Sequence, residues 1–310
     1  MRTLAGRLTE PALRVSRLPL VFALGAAIVA ISFAAIFIRL AQAEGVPALS
    51  IAAWRLIFAS LLMLPYALAT HRQEIGNLSR RDLALAAAAG VLLGLHFATW
   101  ISSLDYTSVA SSVVLVTTGP IFAGLGSWLL LGERPGPKLA AGILIAASGS
   151  IAVSWGDLAQ SQSHLLGDLL ALSGAVMIAG YFMIGRKLRA RHSLVAYTTL
   201  VYTAAALALL AFALIGRQSL LGFSLPAYGW MLLMALVPQL IGHSALNWAL
   251  RHLSATYVAI VTLAEPIGSS VLAYIILREA TSWSTAIGGA VILTGIYIAS
   301  RAEFTQARAT

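Results

Sequence analysis

The sequence predicts an all-α polytopic membrane protein of ten transmembrane helices, arranged as two five-helix repeats of inverted topology. Three observations predict it. Of the 310 residues, 59% are hydrophobic and 10% charged, with a mean hydropathy of +0.88. A soluble domain carries roughly 25% charged residues, so this composition suits lipid better than water. The apolar residues group into ten stretches long enough to cross a bilayer with short breaks between them. Finally, residues 104–154 align without a gap on residues 250–300.

The ten stretches run over 18–41, 48–69, 82–103, 108–131, 138–154, 168–185, 194–215, 227–249, 254–277 and 283–300. Short polar breaks such as HRQEIGNLSRRD (71–82), GERPGPK (132–138) and GRKLRARHS (185–193) separate them. With the N-terminus inside, the inner segments hold sixteen Lys and Arg. Four precede the first span (Arg2, Arg7, Arg14, Arg17), three lie in 71–82, two in 132–138 and four in 185–193, with Arg251, Arg301 and Arg308 completing the count. The outer loops hold only Arg217 and Arg278, while Arg39 and Arg55 lie within spans. Sixteen against two satisfies the positive-inside rule for ten spans with both termini cytoplasmic. The net charge of +9 therefore reflects span ends rather than one basic patch, and nucleic acid is not an expected partner. The absence of cysteine excludes disulfides, thiolate metal sites and cysteine nucleophiles.

The first span invites a second reading. Basic residues, an apolar run and Ala41-Gln42-Ala43 resemble a signal peptide with its cleavage site. The run is long for such a segment, and Arg39 stands where small neutral residues are expected. The internal repeat decides for a retained span. Of 51 aligned positions ten are identical, and they include Pro120/Pro266, Glu133/Glu279, Gly142/Gly288 and Gly149/Gly295. The repeats are then 1–154 and 155–310, and the sixth span needs the first as its partner. Five spans is an odd number, so the second repeat inserts upside down. Asp105 in an outer loop accordingly answers Arg251 in an inner one, and Arg134 and Lys138 inside answer Ala280 and Ser284 outside. Inverted repeats meeting at the midplane are a recurrent architecture of secondary transporters.

WLLLGE (128–133) and YIILRE (274–279), the Gly-spaced helix after each, and WRLIFASLLMLPYA (54–67) resemble the EamA-type drug/metabolite transporter superfamily. The resemblance covers essentially all ten spans. It implies a secondary transporter of a bacterial inner membrane, and within the superfamily the chain looks most like the amino-acid exporters, including those of aromatic and other neutral amino acids. The second repeat departs from the pattern with Arg278 where the first has Gly132.

Ionisable residues inside a span each cost about 2.5–3.5 kcal/mol at a helix centre, so they point to function or to a specific partner. The residues in question are Arg39, Arg55, His96, His243 and Glu265. Snorkelling accounts for Arg39 near its span end. For Arg55, a structural pair competes with binding of a substrate carboxylate. For His96 and His243, a hydrogen-bonded core role competes with cavity lining or proton coupling. Glu265 occurs in one repeat only, which suits an ammonium group or a proton as its partner. Trp100, Tyr181, Gln239, Ser244 and Asn247 are candidate pocket groups, although belt anchoring is the default for Trp100. Pro120 and Pro266 each deprive a carbonyl four residues back, on Val116 and Thr262, of its donor, and are expected to be gating hinges. The Gly142/Gly149 and Gly288/Gly295 pairs read as packing faces, with a dimer contact as the other reading. Glu133 and Glu279, before the helices that follow, favour the helix N-terminal dipole.

No His-Glu zinc pair, Ser-His-Asp order, phosphate loop or nucleotide-binding domain occurs, so neither an enzyme, a cofactor, a metal nor self-contained ATP-driven transport is expected. The expected partners are a small-molecule substrate, amino acids or similar metabolites, and the lipid bilayer, with the chain a monomer or a homo-dimer. The function read from the sequence is export by alternating access around a midplane cavity. A multidrug or organic-cation exporter with Glu265 as counter-ion is the alternative, and a non-transporting scaffold or sensor the remote one. Because the chain has no thiol of its own, single cysteines at Gly45, Ser161 and Ser219 should label from outside sealed cells. Labelling at Gly76 or Ser193 from that side would contradict the topology.

Overall fold

Sequestration of the backbone drives this fold, since lipid offers no hydrogen-bond partners and helices satisfy their own. The computed structural model describes residues 17–103, 105–106, 112, 115–116, 118–132, 136–158, 165–278 and 283–309, and every regular element among them is helical. They are α1 (Arg17–Ala43), α2 (Ala48–Thr70), the short α3 (Arg72–Gly76), α4 (Arg80–Ser103), α5 (Gly119–Gly126), α6 (Pro137–Leu158), α7 (Leu165–Arg189) and α8 (Leu194–Ile215). After them come α9 (Leu225–Met234), α10 (Ser244–Ala249), α11 (Ala255–Thr262), α12 (Glu265–Leu272) and α13 (Trp283–Ala309).

Seven helical segments among the described residues are long and apolar enough to cross a membrane. They correspond to the first three and the sixth to ninth expected spans. Helices also occupy the remaining three stretches. α5 continues into a π-helical turn at Ser127–Leu131, and α6 and α13 cover 137–158 and 283–309. The expected carboxylates Glu133 and Glu279 lie outside the described residues.

Element bounds recur at one spacing. α2 and α8 begin at Ala48 and Leu194, α5 and α12 at Gly119 and Glu265, and α6 and α13 at Pro137 and Trp283, each pair 146 residues apart. The π-helical turns Ser127–Leu131 and Ala273–Leu277 keep the same spacing. So do Gly132 and Arg278, which close those turns with left-handed backbone at φ 71° and 59°. An L-residue pays about 1–2 kcal/mol for that conformation, so at this turn the Arg departs from the repeat in side chain but not in backbone.

The elements interleave rather than forming two separate bundles. α1 packs on α9, α12 and the π-helical stretch Ala235–His243, whereas α7 packs on α4 and α5. α2 packs on α8, and α6 on α13. The last contact uses the glycine faces. A methyl group on Gly142 would come within 2.8 Å of the Gly295 carbonyl oxygen, and one on Gly149 within 2.8 Å of that of Gly288. The glycines therefore pack against each other inside one chain, which is the packing role rather than the dimer contact.

Loops are fixed by three N-cap serines, each held by a carboxylate from elsewhere in the chain. Ser193, Ser224 and Ser254 accept from the backbone N–H three residues on. In turn Glu74 accepts from Ser193 N–H, Glu44 from the Ser224 hydroxyl, and Glu303 from Ser254 N–H and hydroxyl. Such caps contribute about 0.5–2 kcal/mol each. Burial alone would push the Glu74 carboxyl up, but the Ser193 hydrogen bonds outweigh it and hold the group below its ordinary value.

Gly295→Ala is expected to lower stability by about 1–3 kcal/mol, because its methyl would sit 2.5 Å from the backbone nitrogen of Ala146. Gly229→Ala, with no atom within 4 Å of the added methyl, should be neutral or raise it by about 0.5–1 kcal/mol. Thermal unfolding of the two variants in detergent checks the contrast. Equal melting temperatures would remove the tight α6–α13 crossing.

Candidate functional site

A cavity opens where the broken helices meet. Its empty space, including its opening to solvent, is about 690 Å³. Six of the residues expected at a site line it: Arg55, His96, Trp100, Pro120, His243 and Glu265. The rest of the wall is mainly apolar, with Phe97 and Phe182 its largest members.

The prolines position the chain here, though not as kinks in continuous helices. Pro120 lies in the first turn of α5, where a missing N–H leaves no carbonyl short. Pro266 is the second residue of α12, and two residues of turn, Leu263 and Ala264, separate it from α11. Tight i→i−3 bonds replace α-helical ones at both places. Thr118 N–H and Ile121 N–H donate to Leu115 and Thr118 carbonyls, and Leu263 N–H and Ala264 N–H donate to Ile260 and Val261 carbonyls. The freed backbone thus lies at protein-lined space rather than lipid, the condition under which a span tolerates a break. α5 and α12 both start at the cavity, so their N-terminal partial charges fall there. Glu265, in the first turn of α12, is favoured by that dipole.

Arg55 is the eighth residue of α2 and only 1% exposed. Its Nε–H donates to Gln239 Oε1 at 2.8 Å, and its guanidinium carbon lies 4.1 Å from the Phe97 ring centroid. A hydrogen bond and a cation–π contact thus hold the charge from two sides. Glu265, half-buried, lines the same cavity, but no ion pair joins it to Arg55 among the described residues. His96 donates from Nδ1 to the Gly174 carbonyl at 2.9 Å, which leaves Nε2 as its acceptor, and its ring stacks on Trp100 at 5.9 Å. His243 packs edge-on to Phe97 at 5.5 Å, and its Nδ1 has no hydrogen-bond partner in the protein. The Trp100 indole N–H is likewise buried and unpartnered. These are unused donors and acceptors at a site already holding one cation and one carboxyl.

Tyr181, Gln239 and Asn247 are not part of the cavity wall. They stand one layer behind it, fully buried. Gln239 anchors Arg55; Asn247 Nδ2 donates to Tyr181 Oη at 2.5 Å and to the His243 carbonyl at 2.8 Å. Pro266 is not a lining residue either, since its neighbour Glu265 takes that place. Ser244 shares a hydrogen bond with Tyr202, 3.0 Å away. Arg39 is exposed and away from the cavity, as snorkelling requires. Sequence reasoning missed Phe97 and Phe182. An aromatic in an apolar stretch gives no signal of which face it occupies.

Gln239→Leu is expected to strip Arg55 of its acceptor and lower stability by about 1.5–3 kcal/mol. Gln239→Glu, which keeps an acceptor, should retain it. Thermal unfolding in detergent checks this, and an unchanged Leu variant would mean that Gln239 does not hold the guanidinium.

Comparison with known proteins fits this geometry. Residues 18–155 and, again, 165–301 match the EamA-like transporter family. An uncharacterized transporter of Archaeoglobus fulgidus is 25% identical over 269 residues, covering 85% of this chain and 91% of that protein. The pseudopaline exporter CntI of Pseudomonas aeruginosa is 25% identical over 232 residues, covering 75% and 80%. A solved crystal structure superimposes with a TM-score of 0.75 at 20% identity, over 92% of this chain and 98% of the other, a likeness of fold.

Proposed function

The chain belongs to the EamA-like transporter family, a multi-pass membrane transporter and not an enzyme, and from that premise we propose that it exports small zwitterionic metabolites, foremost aromatic and other neutral amino acids. The observation that carries this reading is the pair of opposite groups at one cavity, Arg55 and Glu265, with no ion pair between them. A carboxylate bound to Arg55 and an ammonium bound to Glu265 offset the desolvation of both. The apolar wall, with Phe97 and Phe182, accommodates the side chain between them.

Movement follows from the architecture proposed for the chain: ten spans in two inverted halves, 1–154 and 155–310, with both termini cytoplasmic in a bacterial inner membrane. The constant spacing of 146 residues and the two family matches support the halves. The reciprocal packing of α1 on the second half and α7 on the first supports a two-fold relation between them. Two such halves exchange conformations and expose one site to either side. The breaks at Pro120 and Pro266 are the hinges, because there the backbone is not committed to helical hydrogen bonds. Export as the direction is consistent with CntI, a relative named as an exporter.

Export of organic cations is the competing reading, with Glu265 as counter-ion. Arg55 disfavours it, since a buried guanidinium at the same cavity repels a ligand that is only cationic.

Transport of phenylalanine, leucine and tetraphenylphosphonium by reconstituted liposomes tests the choice. Glu265→Gln is expected to lower phenylalanine transport at least about tenfold, the loss of one charge-assisted contact of about 1.4 kcal/mol or more. Pro120→Ala and Pro266→Ala should slow exchange while the protein stays folded. Wild-type rates in all three variants would sink both the site and the hinges; transport of the phosphonium alone would favour the cation reading.

A further inference from the structure

A buried column of polar groups leads away from the cavity behind Arg55. Gln239 holds Arg55; Tyr202 donates to the Gln239 carbonyl at 3.4 Å and shares a hydrogen bond with Ser244. Asn247 follows one turn on and holds Tyr181. The Tyr197 hydroxyl lies beside Gly185, one turn before Arg189 on α7, where an added Cβ would meet it at 3.0 Å. The column ends at Arg189, the last residue of α7, 2% exposed, whose Nε–H donates to the Asn247 carbonyl at 3.1 Å and whose Nη1 donates to the His192 carbonyl.

Packing does not account for this column. Gln239 Nε2, Asn247 Oδ1 and Tyr197 Oη are all buried without a partner in the protein. A buried polar atom left unpaired costs about 1–3 kcal/mol, so three among these residues call for a partner that the protein itself does not supply. The residues at the common offset of 146 sharpen the point. Tyr181, Tyr197, Tyr202, Gln239, Ser244 and Asn247 answer Ala35, Ile51, Leu56, Leu93, Ala98 and Ile101. All six counterparts lack a polar side chain, and Ile51, Leu56, Leu93 and Ile101 are fully buried. The fold itself therefore does not demand polarity at these places.

The charges at the ends state what would pass. Both are guanidiniums, Arg55 at the cavity and Arg189 at the far end, and Arg251 adds positive charge beside Arg189. Arg189 has no ion pair among the described residues, and Glu74, the carboxylate that acts on it, is engaged by Ser193. A file capped by fixed cations repels protons and metal ions and attracts anions. Between the caps, the Gln239 and Tyr197 N–H and O–H suit a carboxylate, and Asn247 Oδ1 suits an adjacent ammonium.

We propose that this column is the loading route for the carboxylate end of the substrate, with Arg189 receiving it and Arg55 holding it. The proposal rests on the reading above that Arg55 binds a substrate carboxylate. In the conformation described, Arg189 bonds to main-chain carbonyls, and exchange of these for a carboxylate opens the route.

A single Ser244→Cys thiol in the full chain, reconstituted in liposomes, tests the route without naming a substrate. An anionic sulfonatoethyl and a cationic trimethylammonioethyl methanethiosulfonate are applied from the side where a Ser193→Cys control labels, and their rates are normalised to those with a free thiol. The expected result is a preference for the anionic reagent of about tenfold or more, as focused fields give. Arg189→Gln should abolish the preference and Arg189→Lys keep it, which a purely structural role of the guanidinium hydrogen bonds would reverse. Equal rates, a cationic preference, a preference surviving Arg189→Gln, or no reaction with either reagent would each overturn the proposal. Phenylalanine uptake by the same liposomes separates the two readings: an Arg189-dependent anion preference without amino-acid transport would leave the route standing and remove the substrate assignment.

Discussion

Every feature of this molecule depends on one constraint, that lipid leaves no backbone hydrogen bond to be made with solvent. Continuous helices meet it at no cost, and α1, α4, α7 and α8 do so. Breaks at 118 and 263–264 meet it only because both are turned toward the cavity, where protein and water replace lipid. The breaks and the cavity therefore occupy the same place. The glycine faces of α6 and α13 follow from the same constraint: with no hydrophobic drive between helices in lipid, close approach and dispersion supply the association.

Charge inside the bundle is handled by a similar economy of partners. Arg55 is hydrogen-bonded to Gln239 and lies over the Phe97 ring, and no ion pair joins it to Glu265. Had the two charges closed on each other, the pair would have been a structural bridge with little left for a ligand. The polar residues behind the cavity instead absorb part of the guanidinium's demand, so Glu265 lines the same cavity without being drawn into a bridge with it. A site for a zwitterion needs such a separation, because each end of the ligand must find a group that is desolvated but not already neutralised.

Much of this was legible in the sequence, for a physical reason. Ionisable residues and prolines are rare in spans, so Arg55, His96, His243, Glu265 and Pro120 stand out, and all five line the cavity. The aligned segment 104–154 against 250–300 showed the spacing of 146 that the starts of α2 and α8 also keep. What sequence could not order was depth behind the wall. Tyr181, Gln239 and Asn247 were read as pocket groups, but helix phase places them one layer back, and a one-dimensional pattern does not resolve two polar layers. Arg189 was hidden differently: it counted as one of sixteen inner basic residues, which the positive-inside rule explains without regard to burial. The caps Glu44, Glu74 and Glu303 gave no signal at all, since their serines are far away in sequence.

The difference between the halves bears on direction. If the two were equal in chemistry as well as in backbone, the site would open to either side by equivalent routes and nothing would distinguish loading from release. The proposed route is lined by tyrosines and amides between two arginines, whereas the residues 146 positions earlier include the buried Ile51, Leu56, Leu93 and Ile101. A zwitterion approaching along the first exchanges water for fixed polar partners, so its desolvation is spread over several steps. On the second it meets no such partners and crosses only when the gate is wide enough to admit water with it. Thermodynamics forbids this asymmetry from driving net transport by itself, for it alters barriers and not the end states. On the proposed route it sets which side loads at low substrate concentration and which side releases once the gate is wide. In the proposed architecture, duplication supplies the exchangeable backbone, and the difference at six positions supplies the distinction between its two faces.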